Sequence, residues 1–355
     1  NIFDKNILIT GAGGSIGAEL SRQIKDLLPS KIILLDNSEY NLYNIHHELT
    51  ITNGVEVIPV LSTVTNYKQI YEVINRYEIH TIYHAAAYKH VPIMESNPAE
   101  AIATNVIGTK IVGESAIDFG VEKFVLISTD KAVNPTNIMG SSKRIAEVIC
   151  QDLQRSSRLT KFITVRFGNV LGSSGSVIPL FQKQIEEGGP ITLTHKDITR
   201  YFMSIQEASQ LILQCGALGR DGEIFLLEMG QPIRIVQMAK DLIRLSGLEP
   251  DVDIPIVFVG LRPGEKLYEE LQLLNEQKVS TSHRKIMILK DKHSHIPWSI
   301  FKASINELID SAEKLDTEKI QLLLDQIIPT YRPRTTVSHI EKRDSISARS
   351  IKAEA

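Results

Sequence analysis

The chain has 355 residues, 43% apolar and 23% charged, with 39 Lys and Arg against 42 Asp and Glu for a formal net charge of −3. This composition excludes a disordered, collagen-like or coiled-coil chain, and the near-balanced charge gives no reason to expect nucleic acid as a partner. No apolar run reaches the ~18 residues of a membrane span, no leader pattern opens the chain, and Cys150 and Cys215 are too few for a disulfide framework. The chain starts at Asn1 rather than Met, so it reads as a trimmed or excised piece. A cytoplasmic location is expected for it as a soluble domain, with room for a membrane anchor ahead of residue 1.

In chain order, short runs rich in Ile, Val and Leu predict strands at Asn6–Thr10, Lys31–Asp36, Val55–Leu61, Thr81–His84, Lys123–Ser128 and Phe162–Arg166. They lack strict alternation, which suits strands covered on both faces. Helical patterns lie between them, at Ser15–Leu28, Glu39–Leu49, Tyr67–Tyr77, Pro98–Phe119 and Ile138–Leu153. This alternation predicts an α/β chain with a Rossmann-like, doubly wound parallel sheet. The second half is less regular. Helices are predicted at Gln206–Leu218, Arg234–Leu245, Trp298–Leu315 and Thr317–Ile328, and strands at Glu223–Glu228 and Ile256–Val259. The expected division is a dinucleotide domain over 1–172, to which 201–232 returns, and a smaller mixed α/β substrate lobe over 173–200 and 233–331. A polar tail or subunit-contact arm follows over 332–355, where six Lys and Arg face three Asp and Glu.

Gly11, Gly14 and Gly17 sit three apart in Thr10-Gly-Ala-Gly-Gly-Ser15-Ile16-Gly17, between the first strand and the first helix. Such a turn lets backbone N–H groups approach a pyrophosphate at a helix N-terminus. Asp36 ends the second strand 19 residues after Gly17, where a carboxylate holds ribose hydroxyls. With no Arg or Lys next to Asp36 to bind a 2′-phosphate, NAD is expected rather than NADP. The alanines of His84-Ala85-Ala86-Ala87-Tyr88-Lys89-His90 leave room at the carboxyl end of the fourth strand, where ligands lie in such sheets. Ser128-Thr129-Asp130-Lys131 follows the fifth strand, and Met139 and Lys143 share one face of the next helix.

Together these motifs resemble the extended short-chain dehydrogenases/reductases, in which a helix carries Tyr-x-x-x-Lys; here Met139 stands at the tyrosine position. Within that group the chain is similar to the catalytic domain of UDP-N-acetylglucosamine 4,6-dehydratases of bacterial capsule, O-antigen and N-glycan synthesis. The resemblance runs from about Lys5 to Ile328. It implies that Gly11, Gly14, Ser15, Ile16, Gly17 and Asp36 hold NAD, with Ala85, Ala86, Lys89, Asn105 and Lys143 lining or supporting it. It implies a catalytic set of Thr129, Asp130, Lys131, Met139 and Lys143. It implies nucleotide-sugar contacts by Lys89, His90, Arg166, Asn169 and Ser173, then by Arg200, Arg262 and Glu265; arginines suit bidentate phosphate recognition. No metal is implied, and a homo-oligomer is expected. One departure is Thr63, where many relatives carry an Asp facing adenine.

The implied reaction is C4 oxidation, elimination of water across C5 and C6, and hydride return to C6. Asp130 is expected as the acid for the leaving hydroxyl and Lys131 as the C5 base. Met139 cannot exchange a proton, so Thr129, backed by Lys143, is the expected relay from the C4 hydroxyl. The Met form resembles the dehydratases that retain C5 configuration, which gives UDP-2-acetamido-2,6-dideoxy-α-D-xylo-hexos-4-ulose. A C5-inverting dehydratase, a nucleotide-sugar epimerase and a non-catalytic dinucleotide-binding regulator are the alternatives. The last two have no use for Asp130 and Lys131 as a pair.

Overall fold

The computed structural model describes residues 2–51, 54–291 and 298–332. Nine strands form its main sheet: β1 (Asn6–Thr10), β2 (Lys31–Asp36), β3 (Glu56–Leu61), β4 (Thr81–His84), β5 (Lys123–Ile127), β6 (Lys161–Arg166), β7 (Ile224–Leu227), β8 (Glu276–Ser280) and β9 (Ile286–Asp291). Their order is β8-β9-β7-β6-β5-β4-β1-β2-β3. The seven strands from β7 to β3 are parallel, whereas β9 runs antiparallel to β7 and β8 antiparallel to β9. The sheet is therefore Rossmann-like and doubly wound. Winding reverses between β1 and β4, which opens a crevice at their carboxyl ends.

The central strands form because both of their faces are covered. Every residue of β1 and β4 is buried. One face packs Leu8, Ile33, Ile82, Phe124 and Leu126 against helices, and the other packs Ile7, Ile9, Ile32, Leu34 and Val165. Asn137 caps the long helix Ile138–Ser156 by accepting the Gly140 N–H at 2.7 Å.

The six predicted strands of the first half appear with ends shifted by at most one residue. The predicted helix Pro98–Phe119 is a continuous element with a π-helical turn at Ala103–Ile107. A smaller lobe packs Phe181, Ile185, Ile191, Ile235, Ile243 and Ile254 together beside the crevice. Two segments expected in that lobe lie elsewhere. Residues 276–291 form the β8–β9 hairpin on the main sheet, because the apolar run Ile286–Leu289 extends the edge that β7 leaves open. Helices Trp298–Glu313 and Thr317–Ile327 bury Phe301, Leu308, Ile320 and Leu324 in the core on one face of the sheet. Of the expected polar tail, only Arg332 falls within the described residues; its N–H reaches the Pro135 carbonyl at 3.0 Å.

Candidate active site

A crevice of about 630 Å³ runs from the glycine turn past the ends of β4 and β5 to the smaller lobe. At one end, Gly11 has φ +65°, and a side chain there would meet the Ala86 backbone at 2.7 Å. A Cβ at Gly17 would stand 2.0 Å from the Gly11 carbonyl oxygen, so only glycine fits either place. The helix Ser15–Asp26 then points its free N–H groups into the crevice. Asp36 lies behind the turn, where its carboxylate accepts the N–H of Gly13 and of Ser38, each at 2.9 Å. This cradle, free of side chains over a helix N-terminus with an acid at the end of β2, fits a dinucleotide.

The floor of the crevice is held by a buried polar chain. Thr109 donates to the Asn105 carbonyl, so its oxygen accepts from His84 Nε2; Thr10 donates to His84 Nδ1 at 2.8 Å. Burial, with Lys143 nearby, pushes His84 down to about 3 and keeps it neutral. Asn105 sits in the π-helical turn. It clamps Tyr88 by accepting its N–H and donating to its carbonyl, and it also donates to Ser142 at 2.9 Å. Asn105 therefore supports the crevice without lining it. Ala86 likewise backs the turn, while Ala85 and Lys89 reach the lining.

Thr129, Lys131, Met139 and Lys143 all line the same crevice. The Thr129 hydroxyl donates to Asp130 Oδ1 at 3.0 Å, and Lys131 Nζ donates to the same oxygen at 3.0 Å and to Asn169 Oδ1 at 3.0 Å. Asp130 is fully buried, and its Oδ2 has no hydrogen-bond partner among the described residues. Burial alone would lower the Lys131 ammonium, but Asp130 and Glu269 outweigh it, so Lys131 is raised and charged at rest. Lys143 behaves oppositely: burial pulls it down to about 8, against Glu147 and Cys150. The two cysteines are buried, and burial raises both thiols, so they pack and do not react.

The expected sugar contacts divide into two groups. Lys89, His90, Asn169, Ser173, Arg200, Arg262 and Glu265 line the crevice. Burial lowers Lys89, and Lys131 lowers it further. Arg200 donates to the carbonyls of Thr199, Lys266 and Leu267, which fixes its guanidinium beside Glu265 and Glu269. Thr136 and Asn137 both donate to the Gly264 carbonyl, tying the Arg262–Glu265 loop to the segment after Lys131.

Arg166 is the exception, and its expected role as a sugar contact is corrected. It is fully buried away from the crevice, with bonds to Glu147 at 3.1 and 2.8 Å and to Glu276 at 2.8 Å. Ser128 donates to the same Glu147 at 2.6 Å, so this network braces the strand end that carries Thr129. With three of its five N–H donors on carboxylates and no exposure to the crevice, this guanidinium does not reach a phosphate there. Sequence reasoning also missed Glu269, a buried crevice residue 3.9 Å from Lys131 Nζ. It follows the Leu261–Lys266 motif by three residues, but the intervening loop has no periodicity to place it. Among the described residues no cluster of His, Cys, Asp and Glu could hold a metal ion.

Comparison with known proteins matches residues 7–291 to the family described as polysaccharide biosynthesis protein. The capsular polysaccharide biosynthesis protein CapD of Staphylococcus aureus is 53% identical over 321 residues, which is 90% of this chain and 53% of that relative. The chain thus spans about half the length of that protein. Among solved structures, Pen from Bacillus thuringiensis is 33% identical with a TM-score of 0.76, over 83% of this chain and 89% of that one. DesIV of Streptomyces venezuelae, a dTDP-glucose 4,6-dehydratase solved as a double mutant with NAD and DAU bound, shares the fold at 21% identity. Its TM-score is 0.67, over 75% of this chain and 88% of that one.

Proposed function

The chain belongs to the polysaccharide biosynthesis protein family, and on that footing we propose that it is an NAD-dependent nucleotide-sugar 4,6-dehydratase. Its substrate is UDP-N-acetylglucosamine, and the product keeps its C5 configuration. The observation that carries this reading is the hydrogen-bonded run Thr129–Asp130–Lys131 in the crevice that also holds Met139 and Lys143.

Bound NAD supplies the acceptor for the C4 hydride and the donor that returns it to C6. The glycine turn holds the pyrophosphate with its N–H groups, and Asp36 accepts from the adenosine ribose hydroxyls and repels a 2′-phosphate. Lys89, Arg200 and Arg262 bring cations to the nucleotide-sugar side of the crevice.

Met139 has no proton to exchange, so the C4 hydroxyl proton goes elsewhere. Thr129 already donates to Asp130, and its oxygen can receive the sugar proton as it passes its own to Asp130. Asp130, protonated in this way, gives that proton to the C6 oxygen as it leaves in water. Lys131 takes the C5 proton, exchanges it with solvent through its ammonium, and delivers a proton to the same face after hydride reaches C6. The balance closes: the proton lost at O4 departs with O6, and one proton comes back to C5. Asp130 then need not rest protonated, which agrees with its ion pair to Lys131 at 3.0 Å.

An epimerase would need a hydroxyl at position 139 and no acid–base pair at 130 and 131. Incubation with UDP-N-acetylglucosamine separates the readings. The dehydratase yields a 4-keto-6-deoxy sugar with no build-up of NADH, whereas an epimerase yields a C4 epimer that keeps its C6 hydroxyl.

A further inference from the structure

The net reaction balances, but the resting charge of Lys131 leaves one proton to place. Lys131 is a cation at rest, yet a base at C5 must be neutral. Asp130 cannot absorb the difference, because it has just received the proton from O4.

Two side chains other than Asp130 offer Lys131 Nζ an oxygen acceptor. Asn169 Oδ1, at 3.0 Å, belongs to an amide and takes no proton. Glu269 Oε1, at 3.9 Å, belongs to a carboxylate that is buried and lines the crevice. Its second oxygen, Oε2, has no hydrogen-bond partner among the described residues, so one site on this carboxylate is open to a proton. Arg200 Nε stands 3.8 Å from Oε1 and partly balances the charge.

On the dehydratase reading above, we infer that Glu269 stores the proton that Lys131 sheds before it attacks C5. The cycle balances. Lys131 gives a proton to Glu269, becoming an amine and a carboxylic acid. The amine removes the C5 proton and, after exchange with solvent, later delivers one to the same carbon. Glu269 then hands its own proton back and restores the ion pair. Closing 3.9 Å to hydrogen-bond length needs about 1 Å of side-chain movement. Burial, with Asp130 close by, raises the Glu269 carboxyl, which favours storage. Glu269 acts through Lys131, so it is a positioning residue.

The test is Glu269→Gln, which keeps the shape and cannot carry the proton, beside Glu269→Asp. The charged groups around the pair are Asp130, Arg200, Lys89 and Lys266, and both variants leave them in place. The first readout needs no turnover. Lys131 Nζ is titrated by NMR on lysine-labelled protein, its signal assigned by its loss in Lys131→Arg. In Glu269→Gln the titration should fall by at least about one pH unit, a tenfold loss of proton affinity. An unmoved titration overturns the inference, whatever the substrate proves to be.

The second readout is single turnover with UDP-N-acetylglucosamine. Glu269→Gln should reduce the cofactor at C4 with the wild-type amplitude and slow C5 exchange with solvent at least ~10²-fold, the low end for an acid–base role. Glu269→Asp should recover part of that rate. Equal slowing of both steps, or none, overturns the inference. If wild-type protein makes no product while the Lys131 titration still shifts, the substrate reading fails and the proton coupling stands.

Discussion

Replacing Arg166 by Met should cost stability and leave substrate affinity alone. The guanidinium is fully buried and makes three hydrogen bonds to the carboxylates of Glu147 and Glu276. Its removal takes the shared cation from two buried anions, of which Glu147 keeps Arg144 at 2.9 Å, and breaking a buried pair from one side costs about 3–5 kcal/mol. The Glu147 carboxyl points the same way, with Arg144 and Ser128 contributing beside Arg166. Burial would raise it, but Arg166 and Arg144 outweigh burial and hold it at about 2 against an ordinary 4.5. That difference is worth about 3 kcal/mol for this fully buried group. Urea denaturation at pH 7 should show the loss directly. Glu147 has a depressed folded value, so its contribution is complete above its ordinary value and disappears as pH falls from about 4.5 toward 2. The gap between wild type and Arg166→Met should therefore narrow across that acid range. Pairing Arg166→Met with Glu147→Met should restore part of the loss, because the stranded anion goes too. A loss below about 1 kcal/mol, together with a raised KM for the nucleotide sugar, would falsify the bracing role and return Arg166 to the crevice.

Three further outcomes are expected. Asp130→Asn and Lys131→Ala should each bind NAD as the wild type does and lose at least ~10² in turnover, measured by sugar-product NMR after equal cofactor loading; near-normal rates would remove both assignments. Gly11→Ala forces a side chain into a φ of +65° and to 2.7 Å from the Ala86 backbone. It should weaken NAD binding by at least ~10-fold in calorimetry, since the left-handed strain alone costs roughly 1–2 kcal/mol; wild-type affinity would refute the cradle. Asn105→Ala should lower the thermal midpoint and loosen Tyr88, because the Tyr88 N–H and carbonyl both lose their partner; hydrogen exchange at Tyr88 reports it, and unchanged protection would contradict the clamp.

The Rossmann-like core was legible because its code is local. Glycines at 11, 14 and 17, an acid ending β2 and buried Ile/Val/Leu runs each point to one geometry. The β8–β9 hairpin was not. Glu276–Ser280 is polar, and its one buried acid, Glu276, makes sense only once Arg166 lies opposite. Arg166 itself misled for the same reason. An Arg at a strand's carboxyl end reads as a phosphate ligand, and only tertiary packing reveals two carboxylates waiting for it. Glu269 stayed hidden because a loop without periodicity carries it to Lys131. Thr129, Asp130, Lys131, Met139 and Lys143 were recoverable since they sit at a strand end and on one helix turn. Their hydrogen-bond order, with Thr129 donating to Asp130, was not readable from spacing.

The most direct test of the central claim is NMR of the reaction run on UDP-N-acetylglucosamine in D₂O. The expected product is a 4-keto sugar whose C6 is a methyl group carrying the hydrogen from C4. Deuterium should stand at C5 in the D-xylo configuration, with no net NADH. A product that keeps oxygen at C6, or a C5 of inverted configuration, would contradict the proton path through Thr129, Asp130 and Lys131.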